Sequence, residues 1–241
     1  MKNNPTALIT GCARRIGQAL AIALHQQGFD IAIHCLSSIN AANQLSSLLN
    51  QQRENSTKVF TADLCNSDEI KKLSQNVLAW RPEINVLINN ASLFYNDEKA
   101  SLHWDDLFHC NVQAPYLLSH HFKITLEHNK GCIINLSDIH AHTPLKDYNI
   151  YCMTKAALHM QTLSLAKQLA PMVRVNAIAP GAILWPEDSN EINEDIKQKI
   201  IANTPLKIFG GTTPITQAAL HFISNKFITG TSLAIDGGRS I

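Results

Sequence analysis

Short apolar runs alternate with segments whose apolar residues recur every three or four positions along nearly the whole chain. Ala7-Leu8-Ile9, Ile31 to His34, Val59 to Ala62, Val86 to Asn89, Cys132 to Leu136 and Arg174 to Ile178 read as strands. The helical period covers Ile16 to Gln27, closed by Gly28, then about Ala41 to Gln52, Asp68 to Trp80, 104–109, 112–128 and 149–169. Such alternation predicts parallel strands with crossover helices on both faces, an α/β, doubly wound sheet. No repeat, low-complexity tract or Pro/Gly/Ser linker divides the 241 residues, so one domain is expected over 1–241. Ligands in this architecture bind beyond the carboxyl ends of the strands.

The rhythm breaks at 181–205, where Trp185-Pro186-Glu187-Asp188 precedes a polar helix candidate at 191–203. An irregular stretch near a strand end is either a functional loop or a surface excursion. Composition narrows the partners. Net charge is +1 and no basic run exceeds Arg14-Arg15, which disfavours nucleic acid and leaves small molecules. Six cysteines are scattered without a C-x-x-C pair, as buried thiols in a reducing cytoplasm would be. No apolar run is long enough to cross a bilayer and no signal-peptide core follows Met1, so neither membrane nor export is expected. Eleven histidines are many, but His120-His121 and His140-x-His142 lack acidic or cysteine companions, so no metal is expected.

Thr10-Gly11-Cys12-Ala13-Arg14-Arg15-Ile16-Gly17 follows the first strand and opens the first helix. Glycine permits a tight turn there, and a helix N-terminus offers free N–H groups to a pyrophosphate. Arg15 beside such a turn suits an additional phosphate, as in NADP. The second strand ends in His34-Cys35-Leu36-Ser37-Ser38, with no acid for a ribose 2′-hydroxyl; His34, Ser37 and Ser38 instead suit that phosphate. The alternative is an exposed arginine pair and a serine helix cap. Further on, Tyr151 and Lys155 share a helical face at i and i+4, and Asp138 precedes Tyr151 by thirteen positions. An ammonium lowers a neighbouring phenol's pKa, making it a usable proton donor. A half-buried tyrosine beside a solvated lysine is the plainer reading of the pair.

These motifs, together with Ala62-Asp63-Leu64, Asn89-Asn90-Ala91, Asn111, Pro180-Gly181 and Asp236-Gly237-Gly238, resemble the short-chain dehydrogenase/reductase family in order and spacing over essentially the whole chain. The resemblance implies a Rossmann-type fold, a homotetramer that associates through the helices near 112–128 and 149–169, and NADPH as cofactor. Gly11, Arg14, Arg15 and Ile16 would meet the phosphates, Asp63 and Leu64 the adenine end. Asn90, Ala91 and Ser92 would meet the adenosine ribose region, and Pro180, Gly181 and Ile183 would border the nicotinamide. Lys155 would hold the nicotinamide ribose and tune Tyr151, with Asn111 supporting Lys155 through water. Arg15 where most relatives carry glycine, Asp138 in place of the usual serine, and Asn90-Ala91-Ser92-Leu93-Phe94-Tyr95 resemble the pteridine and dihydromonapterin reductases. That resemblance implies a pterin or folate substrate, with Phe94 stacked on the pterin ring and Ser92 lining the site. Ser37 departs from the arginine of some pteridine reductases.

Chemistry supports the subgroup separately. Ketone reduction builds negative charge on oxygen, which a hydroxyl donor stabilises and a carboxylate repels. Reduction of C=N needs a proton delivered to nitrogen, so Asp138 beside Tyr151 favours an imine-type substrate over a carbonyl or 3-oxoacyl thioester. A cap on the turn after Ser137 is the alternative role for Asp138. Ser137 itself should face the opposite way if extended. Trp185 either closes over the substrate or packs on the helix at 191–203. A protein that binds NADPH without catalysis would have no use for the Tyr151/Lys155 pair.

Overall fold

The computed structural model describes residues 4–185 and 193–241. Seven strands form one sheet in the order β3-β2-β1-β4-β5-β6-β7, and every pair is parallel. They are β1 (Thr6–Ile9), β2 (Asp30–Cys35), β3 (Thr57–Thr61), β4 (Val86–Asn89), β5 (Cys132–Leu136), β6 (Arg174–Pro180) and β7 (Ser232–Ile235). The helices are α1 (Arg15–Gln26), α2 (Ile39–Gln52), α3 (Ser67–Trp80), α4 (Asp97–Ala100), α5 (Trp104–Phe108), α6 (Ala114–His121), α7 (Lys123–His128), α8 (Asn149–Leu169), α9 (Glu194–Ala202) and α10 (Thr213–Ser224).

The two-residue period of the strands sorts side chains onto opposite faces. Ala7 and Ile9 of β1, Ile31 and Ile33 of β2 and Val86 and Ile88 of β4 meet α1, α2 and α10 through Leu20, Leu24, Leu45, Ile215 and Phe222. The intervening Leu8, Ala32, Leu87 and Ile133 meet α3, α6, α7 and α8 through Ile70, Leu73, Leu118, Leu126 and Leu165. Burial on both faces is why these strands are continuous apolar runs rather than alternating ones. Strand order reverses between β1 and β4, so the loops after them part and leave a crevice at their carboxyl ends.

The structure departs from the sequence expectation in places with local causes. The single helix expected over 112–128 is a π-turn at His109–Gln113 followed by α6 and α7. Pro115 has no N–H and its ring crowds the carbonyl four residues back, at Asn111, so the chain widens there. Three elements outside the expectation are α4, α10 and β7. The helix expected at 191–203 is α9, which begins at Glu194 behind the Asn193 cap; residues 191–192, and Pro186-Glu187-Asp188 before them, lie outside the described residues.

Candidate active site

The crevice holds two adjoining cavities of about 390 and 690 Å³, which share Arg14, Arg15, Ile16, Asn90 and Ser92 on their walls. The first runs past Gly11, His34, Leu36, Asp63, Leu64 and Ala91. The second runs past Phe94, Ser137, Asp138, Tyr151, Lys155, Pro180, Gly181 and Ile183.

The floor of the first cavity follows from glycine. Gly11 has φ +61, and a Cβ there would stand 3.0 Å from the Ala91 Cα. A Cβ on Gly17 would meet the Gly11 carbonyl at 2.5 Å, so the start of α1 lies directly on the turn. Thr10 locks that turn to the end of β4: its Oγ1 accepts from the N–H groups of Asn90 at 2.9 Å and Ala91 at 3.0 Å. The Asn90 amide donates back to the carbonyls of Thr10 and Gly11 at 2.8 and 3.0 Å. Asn90 therefore shapes the turn with its side chain. Thr10 was quoted in the motif without a role, and its position directly before Gly11 was the available signal.

In the second cavity the Tyr151 hydroxyl donates to Asp138 Oδ2 at 2.8 Å. Asp138 Oδ1 accepts from the His140 N–H at 2.9 Å, so the same carboxylate caps the short turn Ile139–Ala141 and grips the phenol. The cap foreseen for Asp138 is present, and the same carboxylate also bonds the phenol. Lys155 donates to the Leu136 carbonyl at 2.9 Å, and its Nζ lies 5.6 Å from the Tyr151 ring centre. Burial pushes the lysine down to about 8, partly opposed by the negative Asp138. Burial, and then the adjacent Asp138 charge and hydrogen bond, hold the Tyr151 phenol well above its ordinary value. The expectation that Lys155 lowers this pKa is thus corrected: the carboxylate touches the hydroxyl while the ammonium lies under the ring. Phe94 stacks on Tyr148 with ring centres 4.4 Å apart and meets Tyr151 edge-on at 4.7 Å, yet remains 51% exposed.

The other predicted site residues find specific partners. His34 is buried with both ring nitrogens engaged, Nδ1 with the Gly11 N–H and Nε2 with the Ala62 carbonyl, each at 3.1 Å. The bond pattern makes it a neutral pin between three loops rather than a phosphate ligand, and burial pushes its pKa down to about 4. Arg15 donates to the carbonyls of Trp185 and Leu184 at 2.9 and 3.4 Å, which turns its charge towards the second cavity. Asn111 bonds the Leu93 N–H and carbonyl, Ser92 Oγ and Thr154 Oγ1, so its side chain fastens the 92–93 loop to α8. Thr154, between Tyr151 and Lys155 in sequence, is a second participant that spacing could have disclosed. Ser137 lines the same cavity as Asp138, and its Oγ is buried without a partner among the described residues. The Trp185 ring stacks on Phe209 at 4.2 Å with Lys197 of α9 at 6.0 Å, so it packs beside α9 rather than over the cavity. Ser37 and Ser38 sit past β2, next to Leu36 on the cavity rim; Ser38 occupies the first cap position of α2 without a side-chain cap bond.

A helix start on a glycine turn, a cleft spanning both cavities and a lysine on the wall of the second fit a nicotinamide dinucleotide. A family profile described as Enoyl-(Acyl carrier protein) reductase matches residues 11–240. Pteridine reductase 1 of Leishmania tarentolae is 30% identical over 98% of this chain and 96% of its own length. The 3-oxoacyl-[acyl-carrier-protein] reductase FabG of Staphylococcus epidermidis is 29% identical over 98% of each. An uncharacterised oxidoreductase of Bacillus subtilis, YmfI, is 30% identical over 98% of each. Overall identity does not separate the two named activities, so the choice between them falls to the residues of the second cavity.

Proposed function

This chain belongs to the short-chain dehydrogenase/reductase family of oxidoreductases, and we propose that it is an NADPH-dependent pteridine reductase. Its substrate is a dihydropterin such as dihydromonapterin or dihydrobiopterin, or dihydrofolate, reduced at a ring C=N bond to the tetrahydro form. The observation that carries this reading is the 2.8 Å bond from the Tyr151 hydroxyl to Asp138, a carboxylate on the wall where a ketone's oxyanion would develop.

The bound cofactor supplies hydride to the carbon of the C=N bond. Tyr151 holds the proton for the nitrogen, and its raised pKa keeps the phenol protonated until hydride arrival makes the nitrogen basic. Asp138 is half-buried, so it can pass a solvent proton back to the phenolate. Lys155, wholly buried beneath the ring, opposes the charge left on the tyrosine. Phe94 offers an aromatic face at the mouth for a flat heterocycle. The lack of an acid after β2 and Arg14 on the wall of the first cavity support NADPH over NADH.

One observation favours a second reading. The unpartnered Ser137 hydroxyl beside Tyr151 is a donor suited to a carbonyl or 3-oxoacyl-thioester reductase. Following NADPH oxidation with dihydropterins, dihydrofolate and a 3-oxoacyl thioester decides between them. Turnover with the thioester alone would overturn the pterin reading.

A further inference from the structure

Cys65 and Cys110 face one another on the wall of the first cavity, one from the loop after β3 and one from the π-turn. Cys110 belongs to the buried core and Cys65 packs against it, half-exposed. Cys65 Sγ lies 3.5 Å from the Asp106 carbonyl, four residues before Cys110 on the same helical stretch. The Cys65 thiol donates to that carbonyl, and the interaction between the two sulfurs pushes Cys65 up and Cys110 down. Lys155 adds to the lowering at Cys110. A lowered, cavity-lining thiol beside a second thiol is the arrangement of an attacking and a resolving cysteine.

We propose that Cys65 and Cys110 form an oxidation-sensitive dithiol on the adenine side of the cofactor cavity, closing to a disulfide that weakens dinucleotide binding. The oxidant is a peroxide. The Cys110 thiolate attacks one peroxide oxygen, the O–O bond breaks, and water leaves after protonation to give a sulfenic acid. The Cys65 sulfur then attacks the sulfenic sulfur, the S–O bond breaks, the Cys65 proton goes to the departing oxygen, and a second water leaves. Two thiols lose two electrons and the peroxide gains them. Bond formation draws the sulfurs to about 2.0 Å, which pulls the loop carrying Asp63 and Leu64 towards the π-turn and narrows the space between them.

The inference rests on the first cavity holding the adenine end of the dinucleotide, not on the identity of the substrate. The purified protein is treated with hydrogen peroxide with and without saturating NADPH. Peptide mass spectrometry then seeks the Cys65–Cys110 cross-link, and fluorescence titration measures NADPH affinity. The expected result is a cross-link two mass units lighter than the paired thiols, suppressed by NADPH, with affinity weakened at least tenfold and restored by dithiothreitol. Cys65→Ser should abolish both the cross-link and the peroxide-dependent loss of affinity. Oxidation of each thiol separately, or a cross-link that leaves NADPH affinity unchanged, would overturn the proposal. An absence of NADPH binding before oxidation would instead strike at the cofactor reading itself.

Discussion

At the scale of single residues, the chemistry turns on whether a carboxylate or a hydroxyl faces Tyr151. Replacing Asp138 with serine restores a donor and removes the proton route, so turnover of dihydropterins should fall at least a hundredfold while NADPH binding stays within a fewfold. Steady-state rates beside a binding titration check this, and unchanged dihydropterin turnover would refute the role. Lys155 sets the alkaline behaviour. Its folded pKa of about 8 lies below the free value of 10.5, so it loses charge as pH rises through 8. We expect kcat/KM, which reports the free enzyme, to decline above pH 8 and approach a tenfold loss per unit. A profile flat to pH 10 would show that the lysine's charge does not matter. Tyr151, Lys155 and Asp138 were legible in the sequence because helical spacing alone brings the first two together and the third stands at a motif position. The bonds of Arg15, His34 and Asn111 were not. Each is made to backbone or side chains distant in sequence, and nothing local in the chain announces such a partner.

Among the elements, the start of α1 is held by the absence of a side chain at Gly17. A Cβ there would come within 2.5 Å of the Gly11 carbonyl and 2.6 Å of the Cys12 Cα, both backbone atoms that cannot step aside. Gly17→Ala should cost about 3 kcal/mol of stability through overpacking and weaken dinucleotide binding, read by urea unfolding and cofactor titration. Wild-type values in both would mean that the turn has slack. The strands β4 and β5 and the helix α8 were read to the residue, because continuous apolar runs and a long unbroken period mark them. β7 was missed although Leu233-Ala234-Ile235 is an apolar run as long as Ala7-Leu8-Ile9; it lies at the sheet edge with its residues partly or fully exposed. α10 was missed although Ile215, Ala218, Ala219 and Phe222 repeat at helical spacing and are all buried. The π-turn could not be inferred from periodicity, since the widened turn shifts the face by one residue in mid-helix.

For the whole molecule, acid sensitivity and assembly follow from features distributed across the fold. The His34 imidazole titrates near 6.5 when unfolded and at about 4 when folded, where it is neutral and pinned. Between those values the unfolded chain binds the extra proton, so stability present above pH 6.5 is lost as pH falls towards 4. The loss amounts to about 3 kcal/mol. Urea midpoints at pH 7, 6 and 5 should drop accordingly in the wild type, and less steeply in His34→Gln; parallel slopes would assign the acid loss elsewhere. Tyr116 and Ile124 on α6 and α7, and Met153 and Met160 on α8, are 42–83% exposed, which supports the proposal of a homotetramer built through these helices. Light scattering after size exclusion should give four times the 26.6 kDa chain mass, and a monomer would dismiss it. Arg15 has a consequence for durability. It stands at φ +56, where a side chain costs about 1 kcal/mol that glycine avoids. Arg15→Gly removes this strain together with the bonds to the 184–185 carbonyls and the other interactions of Arg15, so turnover should fall more clearly than the melting temperature, read by steady-state rates beside thermal unfolding. The left-handed backbone at Arg15 thus marks a position where selection for turnover and selection for heat tolerance would pull in different directions.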